Sequence, residues 1–174
     1  MTVMNELQRL IAAYRLLSPS AASSRLGVLR RIEHIRDPRV VPFLLEVLSD
    51  TGEVGEVRIH VMRQLRNGNG LVLSTERSSV AHAISIVLTD EAGEQLRLEA
   101  ALALGEFIQI DGVLSTLGAV ALAQDESIDL RYAAFTSLER AGPTSESISL
   151  LHVIASDETF GGSARGVLSA WHVD

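Results

Sequence analysis

Asp125-Glu-Ser-Ile-Asp-Leu-Arg-Tyr-Ala-Ala-Phe-Thr-Ser-Leu-Glu-Arg-Ala-Gly142 reads as the joint between two helices. Asp125 closes one apolar run, a short polar step follows, and Arg131 opens a second run that stops at Gly142. Tyr132, Ala134, Phe135 and Leu138 stand one, three, four and seven residues after Arg131. Those offsets share one face of a helix.

The joint recurs along the chain. Arg25, Arg58, Arg97, Arg131 and Arg165 each open a similar run, at spacings of 33, 39, 34 and 34 residues. A period of this size is the signature of stacked helical units. The first four runs carry apolar residues at matching offsets: Leu26, Val28, Leu29 and Ile32; Ile59, Val61, Met62 and Leu65; Leu98, Ala100, Ala101 and Leu104; then the set after Arg131. The fifth, with Gly166 and Ser169, departs from the pattern, as terminal units do. Asp50, Asp90, Asp125 and Asp157 close the helices before the last four runs, at the ends of VLSD, VLTD, LAQD and IASD.

This pattern resembles the HEAT family, and more closely the short HEAT-like repeats of the phycobilin-lyase type. The resemblance covers nearly the whole chain. It implies an all-α fold: a right-handed α-solenoid of about five antiparallel helix pairs in one domain, with approximate units 1–36, 37–70, 71–110, 111–142 and 143–174. It also implies that the second helix of each pair lines a concave face. Between neighbouring units it implies a ladder of Asp50, Arg58, Asp90, Arg97, Asp125, Arg131, Asp157 and Arg165.

Local signals place the elements. Leu7, Leu10, Ile11, Tyr14 and Leu17 predict a first amphipathic helix over 3–17. Ser18-Pro19 is read as the start of the second helix, which runs to about Ile35, and Asp37-Pro38 as the start of the third. Asn67-Gly68-Asn69-Gly70 is a stop and a turn, and 71–74 is an irregular or strand-like insert. Phe160-Gly161-Gly162 is read as a loose turn before a last helix from about Ser163 to Trp171.

Composition narrows the function. Hydrophobic residues make up 47% of the chain, ample for a core, and aromatics only 4%, which suits close helix packing. There is no Cys, which excludes thiolate catalysis, disulfides and Cys-ligated metals. All fifteen basic residues are Arg. Glu6 and Arg9 interrupt the first apolar run, so no secretory signal is read there, and a cytoplasmic location is expected. No Ser elbow, phosphate loop or His-Glu dipeptide is present. Glu56 with His60, and His34 with Asp37, are each a lone acid–His pair, short of a metal site. No cofactor, no metal and no catalytic residue are expected, and the chain reads as a non-enzyme.

Charge is uneven. Residues 1–70 hold ten Arg against seven acids, and residues 71–174 five against fifteen, giving the formal net charge of −7. The overall sign disfavours nucleic acid, while the asymmetry favours oriented protein association. The expected function is a protein-binding adaptor or assembly scaffold. A toxin-neutralising immunity protein and a phycobilin-lyase-like chromophore handler are the alternatives. On each second helix, offsets two, five, six and nine from the Arg lie opposite the expected core. From that stripe the expected partner-binding residues are Arg30, Arg31, His34, His60, Arg63, Glu99, Leu102 and Glu106, meeting an acidic or amphipathic segment. A weak homodimer through a terminal helix, with Trp171 at stake, is a further expectation.

Overall fold

The computed structural model describes residues 5–67, 70–90 and 93–173. These contain ten α-helices, packed mostly with sequential neighbours in a manner consistent with helical repeats. The chain forms two compact units, Met1–Ala83 and Ile84–Asp174. Among the described residues no helix is long and apolar enough to cross a membrane.

The first unit holds α1 (Glu6–Leu16), α2 (Ala22–Ile32), α3 (Val40–Ser49), α4 (Gly55–Arg66) and the start of α5 (Arg77–Thr89). Asn5 opens α1 through a reciprocal capping box with Gln8. Helices α1 and α2 pack as one pair, α3 and α4 as another, and α2 lies against α4. Leu29, Ile32, Leu44, Leu48 and Met62 are completely enclosed. The α3 segment VVPFLLEVLS tolerates Pro42 because its missing N–H falls in the first turn, where no intrahelical partner exists.

The second unit holds the end of α5 with α6 (Glu94–Leu104), α7 (Val113–Leu122), α8 (Ile128–Glu139), α9 (Ser145–Ile154) and α10 (Gly161–Ala170). Here α7 pairs with α8 and α9 with α10, while α6 packs on α8 and α7 on α9. Small residues bring backbones together. Ser137 Oγ donates to the Ala101 carbonyl at 2.8 Å. A Cβ on Gly105 would lie 3.1 Å from Ser137 Oγ. Gly118 in mid-α7 likewise leaves room for Leu150.

The five arginines bind the end of the helix that precedes each of them. Arg25 donates through Nη2 to the Leu17 carbonyl at the cap of α1 (2.8 Å) and through Nε to Ser18 just beyond it (3.1 Å), and the Nε of Arg58, Arg97 and Arg131 donates to the carbonyl of Leu48 (2.8 Å), Leu88 (2.8 Å) and Ala121 (2.9 Å). Arg165 does so through Nη1 to Ala155. The last carbonyls of a helix lack partners within it and carry partial negative charge, so a cation that donates there answers both deficits.

Several boundaries differ from the sequence expectation. Residues 18–21 close a turn instead of starting a helix, with Ala21 N–H on the Ser18 carbonyl at 2.9 Å. Helix α2 therefore starts at Ala22 with no side-chain cap. The Asp37 carboxylate takes the Arg39 N–H and guanidinium, which holds residues 37–39 in a turn and delays α3 to Val40. Residues 71–74 form neither helix nor strand. Gly68 and Asn69 of the expected turn lie outside the described residues, as do Val3 and Met4 of the expected first helix.

The loose turn expected at Gly161-Gly162 is instead the first turn of α10. The Asp157 carboxylate accepts the N–H groups of Thr159 and Phe160 at 2.9 and 2.8 Å and tightens the entry. Gly161 must lack a side chain, because a Cβ would sit 2.6 Å from the Ala155 carbonyl oxygen and 3.2 Å from Arg165 Nη1. Gly166, in the middle of the same helix, has nothing within 4 Å of a built Cβ. Gly161→Ala should therefore destabilise the chain by about 1–3 kcal/mol through overpacking. Gly166→Ala should stabilise it by about 0.5–1 kcal/mol through helix propensity. Urea unfolding of both variants checks the pair; equal shifts of the same sign would contradict the packing described.

Candidate functional site

Two sets of residues were singled out from the sequence: the turn acids with their arginines, and the stripe on the second helices. Arg25, Arg97 and Arg131 bind acids of the following turn. The acids are mostly not the expected ones.

Arg25, which the expected ladder does not include, pairs with Glu53, three residues after the ladder's Asp50. The Asp50 carboxylate is taken by the N–H of Gly52 at 2.9 Å inside its own turn. The Glu53 N–H then closes that turn on the Asp50 carbonyl at 3.1 Å, and Glu53 points inward. Its carboxylate also accepts Tyr14 Oη–H, and the Arg25 guanidinium lies 4.7 Å from the centre of the Tyr14 ring. Burial, reinforced by the Glu53 carboxylate, pushes the Tyr14 hydroxyl well above its usual pKa.

Arg97 makes a two-pronged pair with Glu126 instead of Asp125, one contact being 2.8 Å. Asp125 is exposed, and the turn closed by Glu126 N–H on the Ala123 carbonyl (3.2 Å) swings the next acid toward Arg97. Hydrogen bonding to Arg97 holds the Glu126 carboxyl below its usual range and raises the arginine in return.

Arg131 does meet Asp157, at 2.7 Å, with the two side chains 5% and 2% exposed. Asp157 also accepts from the Gln124 amide at 2.6 Å. Burial alone would raise the Asp157 pKa. The N–H groups of Phe160 and Thr159, the Gln124 amide and the Arg131 charge outweigh it and hold the carboxyl low. Phe160 lies 5.1 Å from the Arg131 guanidinium and stacks on Phe135. Arg58 is buried on the Leu48 carbonyl, Asp90 is exposed directly after α5, and Arg165 is exposed. Tyr14, Glu53, Gln124 and Glu126 are thus site members that the sequence reading missed. Glu53, Gln124 and Glu126 share a signal, a polar residue within three positions of the turn Asp; Tyr14, on the buried face of α1, has none.

The stripe behaves differently in the two units. In the first, Arg30, Arg31 and His34 of α2 and its end, and Arg63 of α4, are all exposed. His34 Nδ1 donates to the Arg30 carbonyl at 2.6 Å, and Arg31 comes only to 3.8 Å from Glu6. His60 does not face solvent: its Nε2 lies 2.6 Å from Glu33 Oε1, joining α4 to α2, with the side chains 17% and 6% exposed. In the second unit, Leu102 and Glu106 are exposed, and Glu106 is ion-paired with Arg140. Glu99 is buried at 5% exposure, which corrects its placement on an open surface. Ala103, Ala133 and Ser137, at equivalent offsets, are buried with it. The physical reason is the close packing of α6 on α8, which uses the face opposite the predicted core.

No protein-family model matches the chain, and no curated protein matches it.

The depressed Glu126 and Asp157 carboxyls fix a pH dependence. Their folded forms bind protons less readily than the unfolded chain does, so acidification favours unfolding. Their contribution is complete above the ordinary carboxylate range of about 4 and is lost as pH falls through the lower folded values. Urea midpoints between neutral pH and pH 3 should fall in wild type. They should fall less steeply in Glu126→Gln with Asp157→Asn. Parallel curves for the two proteins would contradict this origin.

Proposed function

We propose that the chain is a non-catalytic protein-binding module, a HEAT-like α-solenoid acting as an adaptor or assembly scaffold. The face of α2 and α4 in its first unit meets carboxylates on a partner segment. One observation carries the reading. Arg30, Arg31 and Arg63 are exposed on neighbouring helices, Arg31 3.8 Å from the exposed Glu6, while Glu33 is enclosed and engaged by His60. With Glu33 turned inward, arginine prevails over exposed acid on this face, which steers acidic partners and fixes their orientation. The excess of arginine in residues 1–70 supports the same polarity. Guanidinium forks bind carboxylates in two-pronged fashion, which suits an acidic or amphipathic helix or extended segment.

The test is capture of host proteins on the immobilised chain, followed by affinity measurement on the recovered partner at several salt concentrations. Arg30→Glu with Arg63→Glu should weaken binding by at least about tenfold and flatten its salt dependence, since both effects are electrostatic. Unchanged affinity in the folded double variant would reject the basic face.

A further inference from the structure

We propose that the α2–α4 face binds the exposed face of α8 in a second copy of the chain. The inference rests on the basic face proposed above and names its partner.

The outer face of α8 carries the matching chemistry. Ile128, Asp129, Tyr132 and Glu139 follow three-, four- and seven-residue spacings, so they share one side of the helix. All four are exposed, Ile128 at 53% and Tyr132 at 59%. Tyr132 directly follows Arg131, a position at which Leu26 of α2 is buried. Its ring stacks on Phe160 at 6.4 Å, and Phe160 stacks in turn on Phe135 at 5.5 Å. A tyrosine braced in this way is a rigid knob that loses little freedom on binding. The arginines of α8 and its end do not neutralise the two acids beside it. Arg131 is enclosed on Asp157, and Arg140 is paired with Glu106.

The α2–α4 face complements this knob. Arg30, Arg31 and Arg63 are exposed there. Gly27 stands three and four residues before Arg30 and Arg31, and a Cβ built on it meets nothing within 4 Å. It leaves room for a ring flanked by two guanidinium groups. Arginine both stacks on aromatic faces and forks onto carboxylates. The chain already joins these contacts twice: Arg25 takes Glu53 and lies over Tyr14, and Arg131 takes Asp157 and lies over Phe160. Tyr132 with Asp129 and Glu139 offers the same aromatic–acid combination at the surface.

The second copy is the occupant because both halves of the match belong to one sequence. Residues 1–70 hold ten Arg against seven acids, and residues 71–174 five against fifteen. Like regions of two copies repel and unlike regions attract, which orients the encounter. The net charge of −7 does not prevent it, because salt screens charges more than about 8 Å apart at physiological strength. Two different faces meet, so the contact is heterologous, and each copy keeps one face open for the next.

The experiment is sedimentation velocity of the full chain over a concentration series, at about 0.05 M and about 0.5 M salt. The sedimentation coefficient should rise with concentration in low salt and return to the monomer value in high salt. Arg30→Glu with Arg63→Glu, and separately Asp129→Arg with Glu139→Arg, should each weaken self-association at least about tenfold. An equimolar mixture of the two double variants should associate again, because the unaltered α8 of one can meet the unaltered α2–α4 face of the other. That recovery also shows that both variants are folded. A wild type that stays monomeric in low salt overturns the proposal. So does self-association that either double variant leaves unchanged, or a mixture no more associated than its components. A monomeric wild type whose captured host partner is lost on Arg30→Glu with Arg63→Glu would reject the second copy and leave the basic face standing.

Discussion

A guanidinium that closes one helix and grips the turn beyond it is the constraint on which the structure depends. Each helix pair must solve two problems at once. The last carbonyls of the first helix need donors, and the turn after it needs a fixed path. Arg25, Arg97 and Arg131 solve both with one side chain, because the fork offers separate edges for a carbonyl and a carboxylate. A lysine ammonium carries its three donors on one atom and lacks the planar fork with separate edges. The acid bound at each site comes from 26 to 29 residues further along the chain. The contact therefore joins consecutive helix pairs and does more than close one.

These pairs are buried to different degrees, which sets what each contributes. The Arg131–Asp157 contact is almost wholly enclosed, and Asp157 has three further donors, the Gln124 amide and the N–H groups of Thr159 and Phe160, that compensate its desolvation. Arg97 and Glu126 are about one-fifth exposed and depend more on their two-pronged geometry. Arg15–Glu46 and Arg140–Glu106, both largely in solvent, fall in the class of surface pairs worth little. Ion pairing here matters by position: the inner arginines order the turns, and the outer ones decorate the surface.

The helices and their pairing were legible in the sequence because periodicity is a property of whole runs. Val61, Met62 and Leu65, or Ala134, Phe135 and Leu138, declare a buried face whatever lies around them. The recurring arginine was legible for the same reason. Its acidic partner was not, because that depends on how a turn of a few residues closes. Asp50 is consumed by the N–H of Gly52, and the inward position passes to Glu53. Asp125 faces solvent and Glu126 faces Arg97. The exposed stripe was legible on α2, where Arg30, Arg31 and His34 are outside. It failed at Glu99, since small residues on α6 and α8 let the two helices close over that face. A pattern of spacings says which side of a helix is apolar and does not say how near the next helix comes.

The most direct measurement of the central claim is a double-mutant cycle on Arg131 and Asp157, from urea unfolding of Arg131→Ala, Asp157→Asn and the double variant. If the guanidinium–carboxylate contact orders the turn into α10, the coupling should be about 1.5–3 kcal/mol. Each single change should also cost more than the pair is worth, because it leaves a buried charge without its partner. Additive single losses, with no coupling between the two positions, would contradict the account.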